Sequence, residues 1–301
     1  MDKLLLIDGN AVLHRAYYAL PDWRNRSGEA TAGVYGFLSM LMKAIDELKP
    51  THLAIAFDNP EPTFRHEMYV GYQSNREKER QVSEDIWGQV EKLKEIFRRI
   101  EVPVYSVAGF EADDVIGTVA NQCTEQGDGC EVVIITGDKD LMQLVNENIK
   151  LFMPQKGFSD NVIVDKEKVM EKLGVHPNQV VDYKGLVGDS SDNYPGAAGI
   201  GPKTAVHLLA EFGGLDRIYE NIGGIGELVR NKLVNGYEAA KLSQRLAMIR
   251  KDAPVTYNGD KCKIPDPEKF TQVFGELKYK SLVRRTGENE DKKKELQEKL
   301  F

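Results

Sequence analysis

Cysteine and long apolar runs are what this chain has least of. Its three cysteines, Cys123, Cys130 and Cys262, are odd in number and form no Cys-x-x-Cys pair. That argues against a disulfide framework and a structural zinc site, and leaves buried, reduced thiols as the expectation. No apolar stretch approaches the roughly 20 residues that a membrane span requires. The opening residues "MDKLLLIDGN" turn acidic too soon for a signal peptide, so a cytoplasmic protein with no membrane partner is expected. What is present is ordinary for a globular protein: 41% hydrophobic and 29% charged residues. A length of 301 residues is near the size at which single cores divide, so two units are expected. The formal charge of −7 speaks at first against a nucleic-acid partner. It does so only if the acids are spread evenly, because the sign of a whole chain says little about any one face.

The acids are not spread evenly. Short β-branched runs, "KLLLID" (3–8), "HLAIAFD" (52–58), "VPVYSV" (102–107), "EVVIITGD" (131–138) and "IKLFMP" (149–154), alternate with segments of helical period such as 33–48 and 86–100. Alternating strand and helix predicts an α/β fold with a mainly parallel sheet covered on both faces. The run "NVIVDKEKVMEKLG" closes this unit at Gly174. From about His176 the texture becomes helices joined by glycine turns, an all-helical second unit. Residues 284–301 are dense in charge and read as a linker or solvated tail. The expected division is therefore 1–174, 175–283 and 284–301.

Three of the strands end in aspartate: Asp8, Asp58 and Asp138, with Asp140 two residues beyond. Groups beyond the carboxyl ends of parallel strands converge on one crevice. The stretch "GFEADDVIGT" also follows a strand and opens a helix, bringing Glu111, Asp113 and Asp114 to the same edge. One acid suits a helix N-terminus; three ask for cations. Asp189 and Asp192 in "VGDSSDN" begin the second unit and are placed to lie over the crevice. Oxygen ligands without histidine or cysteine suit Mg²⁺ or Mn²⁺. So many acids suit two ions roughly 3.5–4 Å apart that bracket a phosphate. Any one of these aspartates has an alternative use as a turn or cap residue.

Two further segments carry positive charge. "PGAAGIGPKTA" (195–205) nearly matches a nucleotide-phosphate loop, but Pro202 separates Gly201 from Lys203 and no strand precedes it. A helix-hairpin-helix fits better: Gly196, Gly199 and Gly201 let backbone approach DNA, and Lys203 and Thr204 open a helix that grips phosphate without reading bases. Between Asp58 and residue 86, Arg65, Arg76, Lys78 and Arg80 interleave with Phe64, Tyr69 and Tyr72. This is the mix that tracks single-stranded nucleic acid, although Glu61, Glu67, Glu77 and Glu79 cancel its charge.

With "LLLIDGNAVLHRAYYA", "AFDNPEPTFRHEMY", "GFEADDVIGT", "ITGDKDLMQLV", "GLVGDSSDNYPGAAGIGPKTA" and "LKYKSL" in that order, the chain resembles the 5′-nuclease family: the N-terminal domain of bacterial DNA polymerase I, its stand-alone relatives and, more distantly, the flap endonucleases. The resemblance spans about residues 3 to 283. It implies a two-metal 5′-3′ exonuclease or flap endonuclease of replication and repair, acting on DNA with a 5′ flap, 5′ overhang or nick, or on RNA–DNA primer junctions, as a monomer. It implies that Asp8, Asp58, Glu111, Asp113, Asp114, Asp138, Asp140, Asp189 and Asp192 are metal acids. It further implies that residues 196–204 form a helix-three-turn-helix whose carbonyls hold K⁺, and that residues 64–85 form a helical arch over the 5′ strand. In the family's Tyr-Lys-x-x-Arg motif a lysine contacts the scissile phosphate; here Tyr72 is followed by Gln73, and Arg76 completes the motif. Tyr72, Arg76 and Lys78 are then the candidate catalytic residues, Lys78 substituting for the absent lysine, and Arg65 and Gln73 the candidate DNA contacts. Two alternatives remain open at this stage: a junction-binding protein without turnover, and an RNase of the compact α/β class, which the helical second unit disfavours.

Overall fold

The computed structural model describes residues 2–25, 28–75, 80–126, 129–156 and 160–286. The first unit runs β1 (Lys3–Asp8), α1 (Gly9–Ala19), α2 (Ala32–Leu48), β2 (His52–Ala56), α3 (Phe64–Met68), α4 (Arg80–Ile100), β3 (Val104–Tyr105), α5 (Ala112–Glu125), β4 (Glu131–Ile135), β5 (Ile149–Lys156), β6 (Asp160–Val164) and α6 (Lys166–Leu173). The remainder is α7 (Val180–Val187), β7 (Gly188–Asp189), β8 (Tyr194–Pro195), α8 (Pro202–Phe212), α9 (Leu215–Glu220), α10 (Glu227–Asn235), α11 (Tyr237–Ala247), α12 (Gly259–Cys262) and α13 (Pro267–Glu276).

The sheet has the order β3-β2-β1-β4-β5-β6. Its first five strands are parallel, and β6 returns antiparallel to β5. The chain moves outward from β1 to β2 and β3, then crosses to β4 on the other side. The strand order therefore reverses between β1 and β4, the place where open α/β sheets bind ligands. The central strands are apolar on both faces because both faces are covered. Leu4 and Leu6 of β1 join one core with α5, whereas Leu5 and Ile7 join a second core with α1, α2 and α4.

The core containing Leu4 and Leu6 runs on without a break into the helical unit, reaching Leu186, Leu209 and Leu233. Gly117 of α5 is a point of close passage. A Cβ there would sit 2.7 Å from Ile249 Cγ2 and 2.9 Å from the Arg250 carbonyl, so the segment after α11 crosses α5 with no room for a side chain. The C-terminal part of the second unit packs back on the first. Phe270 and Phe274 of α13, with Leu282, pack into the core of the first unit beside α4. An apolar stripe on α13 is satisfied by whichever apolar face is nearest, and here that face belongs to α4. No described helix is long and apolar enough to cross a membrane.

One cysteine expectation is corrected. Cys123 near the end of α5 is bridged to Cys130 just before β4, with Cα atoms 6.0 Å apart. Only Cys262 is a free, buried thiol. The reversal between α5 and β4 brings two positions seven residues apart to bridging distance, which the odd count and the missing Cys-x-x-Cys pattern conceal.

Candidate metal centre

Asp8 ends β1 and caps α1. One oxygen accepts the Ala11 amide at 3.0 Å, and the other accepts the Thr136 hydroxyl at 2.7 Å. Burial raises its pKa to about 7 against these two bonds, with help from the charges of Asp138 and Asp58. Asp58, just past β2, receives the Ala112 amide at the start of α5 at 2.8 Å, and its own amide donates to Asn10 at 2.9 Å. Thr136 also accepts the Asp138 amide at 2.8 Å. Asn10 and Thr136 thus set the carboxylates that flank the reversal point, and nothing in the spacing of the acids marks them.

Glu111 caps α5 and is surrounded by donors: Tyr72 Oη at 3.2 Å, Thr63 Oγ1 at 3.3 Å and, as an ion pair, Arg65 at 3.2 Å. Burial nevertheless raises its pKa to about 7. Asp113 is pushed well above the carboxylate range by burial and then by the charges of Asp138, Asp8, Asp140 and Glu111. These residues therefore share one crevice. Like charges held this close resist joint ionisation, and an added cation relieves them.

Asp114 is held differently from Asp113. Its side chain is fully buried and receives a bidentate fork from Arg65 at 2.7 and 2.9 Å, together with the Arg250 amide at 2.8 Å and the Glu111 amide at 3.2 Å. Those bonds use the carboxylate from both sides. Arg65, expected at a DNA surface, is 2% exposed. Besides Asp114 it donates to the Leu246 and Met248 carbonyls at 2.8 and 2.9 Å. The Arg65–Asp114 pair is a fastening between α3, α5 and the chain after α11. Asp113 and Asp114 have different surroundings because on a helix a step of one turns a side chain about 100° away from its neighbour.

The remaining acids gather separately. Carboxylate oxygens of Asp140, Asp189 and Asp192 lie within 4.8 Å of one another. Lys184 of α7, which the sequence reading passed over, places its ammonium on both Asp140 and Asp189. Burial works against the Lys184 charge, and the two aspartates more than offset it. Asp140 is raised to about 7 by burial and by Asp138, against the pull of Lys184. Asp189 is lowered on balance, its burial outweighed by hydrogen bonds from Lys184 and Ser191. A lysine five residues before Asp189 in "DYKGLVGD" is the only sequence signal for this contact. An all-oxygen set of three carboxylates fits a hard divalent cation, and the Lys184 ammonium stands where such a charge would be balanced.

Gln73 reaches the same corner. It adopts a left-handed backbone with φ of 52°. Its side-chain amide donates to Asp192 Oδ1 at 3.1 Å, and its backbone amide to the Asp192 carbonyl at 2.9 Å. The expected DNA contact is here a tie between the segment after α3 and the 189–192 loop. Tyr72 is buried, donates to Glu111, and stacks on Tyr194 with ring centroids 6.3 Å apart and planes 16° apart. Arg76 and Lys78 lie outside the described residues, as does part of the expected 64–85 arch.

In the hairpin, Gly201 caps α8 with Pro202 in its first turn, and Lys203 is exposed. Gly199 has φ of 80°, and its carbonyl accepts Lys232 Nζ at 3.2 Å. Gly196 is packed against the end of α7: a Cβ there would lie 2.3 Å from the Val187 carbonyl carbon. Thr204 is partly buried at the first turn of α8.

A family model described as 5′-3′ exonuclease, N-terminal resolvase-like domain, matches residues 3–174, and one described as 5′-3′ exonuclease, C-terminal SAM fold, matches residues 175–270. The chain belongs to the 5′-3′ exonuclease family. It is 42% identical over 286 residues to DNA polymerase I of Bacillus caldotenax, covering 94% of this chain and 32% of that one. To DNA polymerase I of Bacillus subtilis it is 38% identical over 290 residues, covering 95% and 32%. It thus spans about a third of the length of these relatives. Among solved structures, the fold matches the bacteriophage T5 flap endonuclease in complex with DNA and metal ions, at a TM-score of 0.69 and 18% identity, over 95% of this chain and 97% of that one. It also matches the catalytic core of Rad2 in complex with DNA substrate, at 0.58 and 18%, over 95% and 93%.

Proposed function

We propose that this chain is a Mg²⁺- or Mn²⁺-dependent 5′-3′ exonuclease and flap endonuclease that hydrolyses DNA phosphodiesters at junctions, in replication and repair. One observation carries the reading. In a member of the 5′-3′ exonuclease family, Asp8, Asp58, Glu111, Asp113 and Asp138 share one crevice at the carboxyl ends of β1, β2 and β4, and Asp140 links them to Asp189 and Asp192. Divalent cations held there would activate water and stabilise the leaving oxygen of a phosphodiester. The chain's own residues supply the scaffold: Thr136, Asn10 and the α5 N-terminus orient the carboxylates, Arg65 locks the base of α3, and Lys203 at the hairpin grips duplex backbone. The substrates follow as DNA bearing a 5′ flap, 5′ overhang or nick, and RNA–DNA primer junctions. K⁺ at the hairpin, a monomeric state and a cytoplasmic location belong to the same proposal.

The test is cleavage of an end-labelled 5′-flap duplex with Mg²⁺, Mn²⁺ or EDTA, alongside Asp138→Ala. Metal-dependent products near the junction, absent in the variant, are expected. One observation favours a second reading, a junction-binding protein without turnover: the residue in the place of the family lysine, Gln73, is uncharged and tied to Asp192. Tight flap binding with no product under either metal would establish that second reading.

A further inference from the structure

Tyr194 lies directly across from Asp189 in the short β7–β8 pairing. Its ring is 4% exposed, stacked on Tyr72 and packed with Leu246 and Ala247. Phenylalanine would fill the same slot, yet the chain places a hydroxyl there, and that oxygen is buried with no hydrogen-bond partner among the described residues. A buried hydroxyl left unpaired is a cost to folding. Its neighbours show what it faces. The pairing sets it across from Asp189 and two residues from Asp192, and these, with Asp140, are the three carboxylates whose oxygens converge. The other donors at this corner are used on the carboxylates themselves: Lys184 on Asp140 and Asp189, Ser191 on Asp189, and Gln73 on Asp192. Tyr72 uses its own hydroxyl on Glu111. The hydroxyl of Tyr194 is left over, next to a group of ligands that can only accept.

Mg²⁺ and Mn²⁺ held by few carboxylates keep other oxygen ligands, water or phosphate, that need hydrogen-bond partners of their own. We propose that the Tyr194 hydroxyl is the positioning donor for an oxygen ligand completing the cation site formed by Asp140, Asp189 and Asp192, that oxygen being a water of the hydrated ion or a phosphate oxygen of the bound strand. The inference rests on the reading of this cluster as a metal site.

The test compares wild type with Tyr194→Phe in three measurements: melting of the metal-free protein, Mn²⁺ binding without DNA followed by electron paramagnetic resonance, and affinity for 5′-phosphorylated flap DNA in Ca²⁺. The variant is expected to melt at the same temperature or higher, since it loses only an unpaired group. It is expected to lose roughly 10- to 100-fold in affinity, the usual effect of removing an outer partner of a metal site. Loss of Mn²⁺ affinity without DNA identifies a water ligand; loss confined to DNA in Ca²⁺ identifies a phosphate oxygen. Unchanged affinity in both, or a lower melting temperature that reveals a partner within the fold, overturns the proposal. Tyr194→Leu, which also removes the stack, separates packing from hydrogen bonding: its affinities should fall no less than those of the Phe variant. Wild-type protein that binds no Mn²⁺ overturns the metal-site reading itself.

Discussion

The two groups of acids tolerate their own charge in different ways. Around Asp8, Glu111 and Asp113, helix amides, hydroxyls and a shared Arg65 offset part of the repulsion, and burial keeps protons on the carboxyls. Around Asp140 and Asp189 an ammonium from the chain itself, Lys184, does the offsetting. In the first group the chain's own cation, Arg65, reaches Glu111; in the second, Lys184 reaches two of the acids. A cation entering the second group has to compete with Lys184, whereas one entering the first competes with protons.

The largest expected effect comes from the Arg65–Asp114 pair beside the first group. Arg65→Met should lower stability by about 3–5 kcal/mol, because it takes from the buried Asp114 its ion-pair partner. Asp113→Asn, one residue from Asp114, should do the opposite in the metal-free protein and raise its melting temperature, while reducing flap cleavage by about a hundredfold or more, equal to a few kcal/mol of transition-state stabilisation. Thermal melts with EDTA, set beside cleavage assays, check both; a stabilised Arg65→Met protein would erase the distinction between the two acids.

A middle-sized effect is expected from pH. Asp8, Glu111 and Asp140 have folded-state pKa values of about 7, against about 4 in an unfolded chain. Between these values the folded state holds protons that the unfolded state has lost, so these groups make stability fall as pH rises from about 4 to 7. Metal-free protein should therefore melt at lower temperature at pH 8 than at pH 5, and saturating Mg²⁺ should remove most of that slope. A melting temperature that rises over this window without metal would contradict the burial assigned to these acids.

The smallest effect separates the groups most finely. Lys184→Met should increase Mn²⁺ affinity at the Asp140–Asp189–Asp192 corner by about tenfold, since removing a competing charge is worth on the order of 1–2 kcal/mol at a partly buried site. Binding at the Asp8 group should change little. Isothermal titration, which resolves the two classes of site, decides it; equal changes at both would mean that the groups behave as one.

Much of the site was legible as position. Asp8, Asp58 and Asp138 announce themselves as the last polar residues of apolar runs, and the alternation of strands and helices brings them to one edge. The hairpin around Gly199 and Lys203 was legible too, because positive φ and an exposed helix start leave local marks in glycine and proline. What stayed hidden has a common cause. Asp113 and Asp114 are the same residue type side by side, and only the phase of α5 against α3 sends one to the crevice and the other to Arg65. Arg65 itself, set among aromatics and other cations, reads as a surface contact until the chain after α11 covers it.

The sequence by itself determined the strand ends that carry carboxylates, the parallel order they imply, and the glycine hairpin, since each follows from periodicity and local backbone preference. Tertiary structure alone decided which acids face one another, that Lys184 bridges Asp140 and Asp189, that Cys123 meets Cys130, and that α13 returns to the first unit. These depend on distances between segments far apart in the chain or on opposite sides of a turn, and such distances are set by how apolar faces pack, a property no short stretch of residues contains.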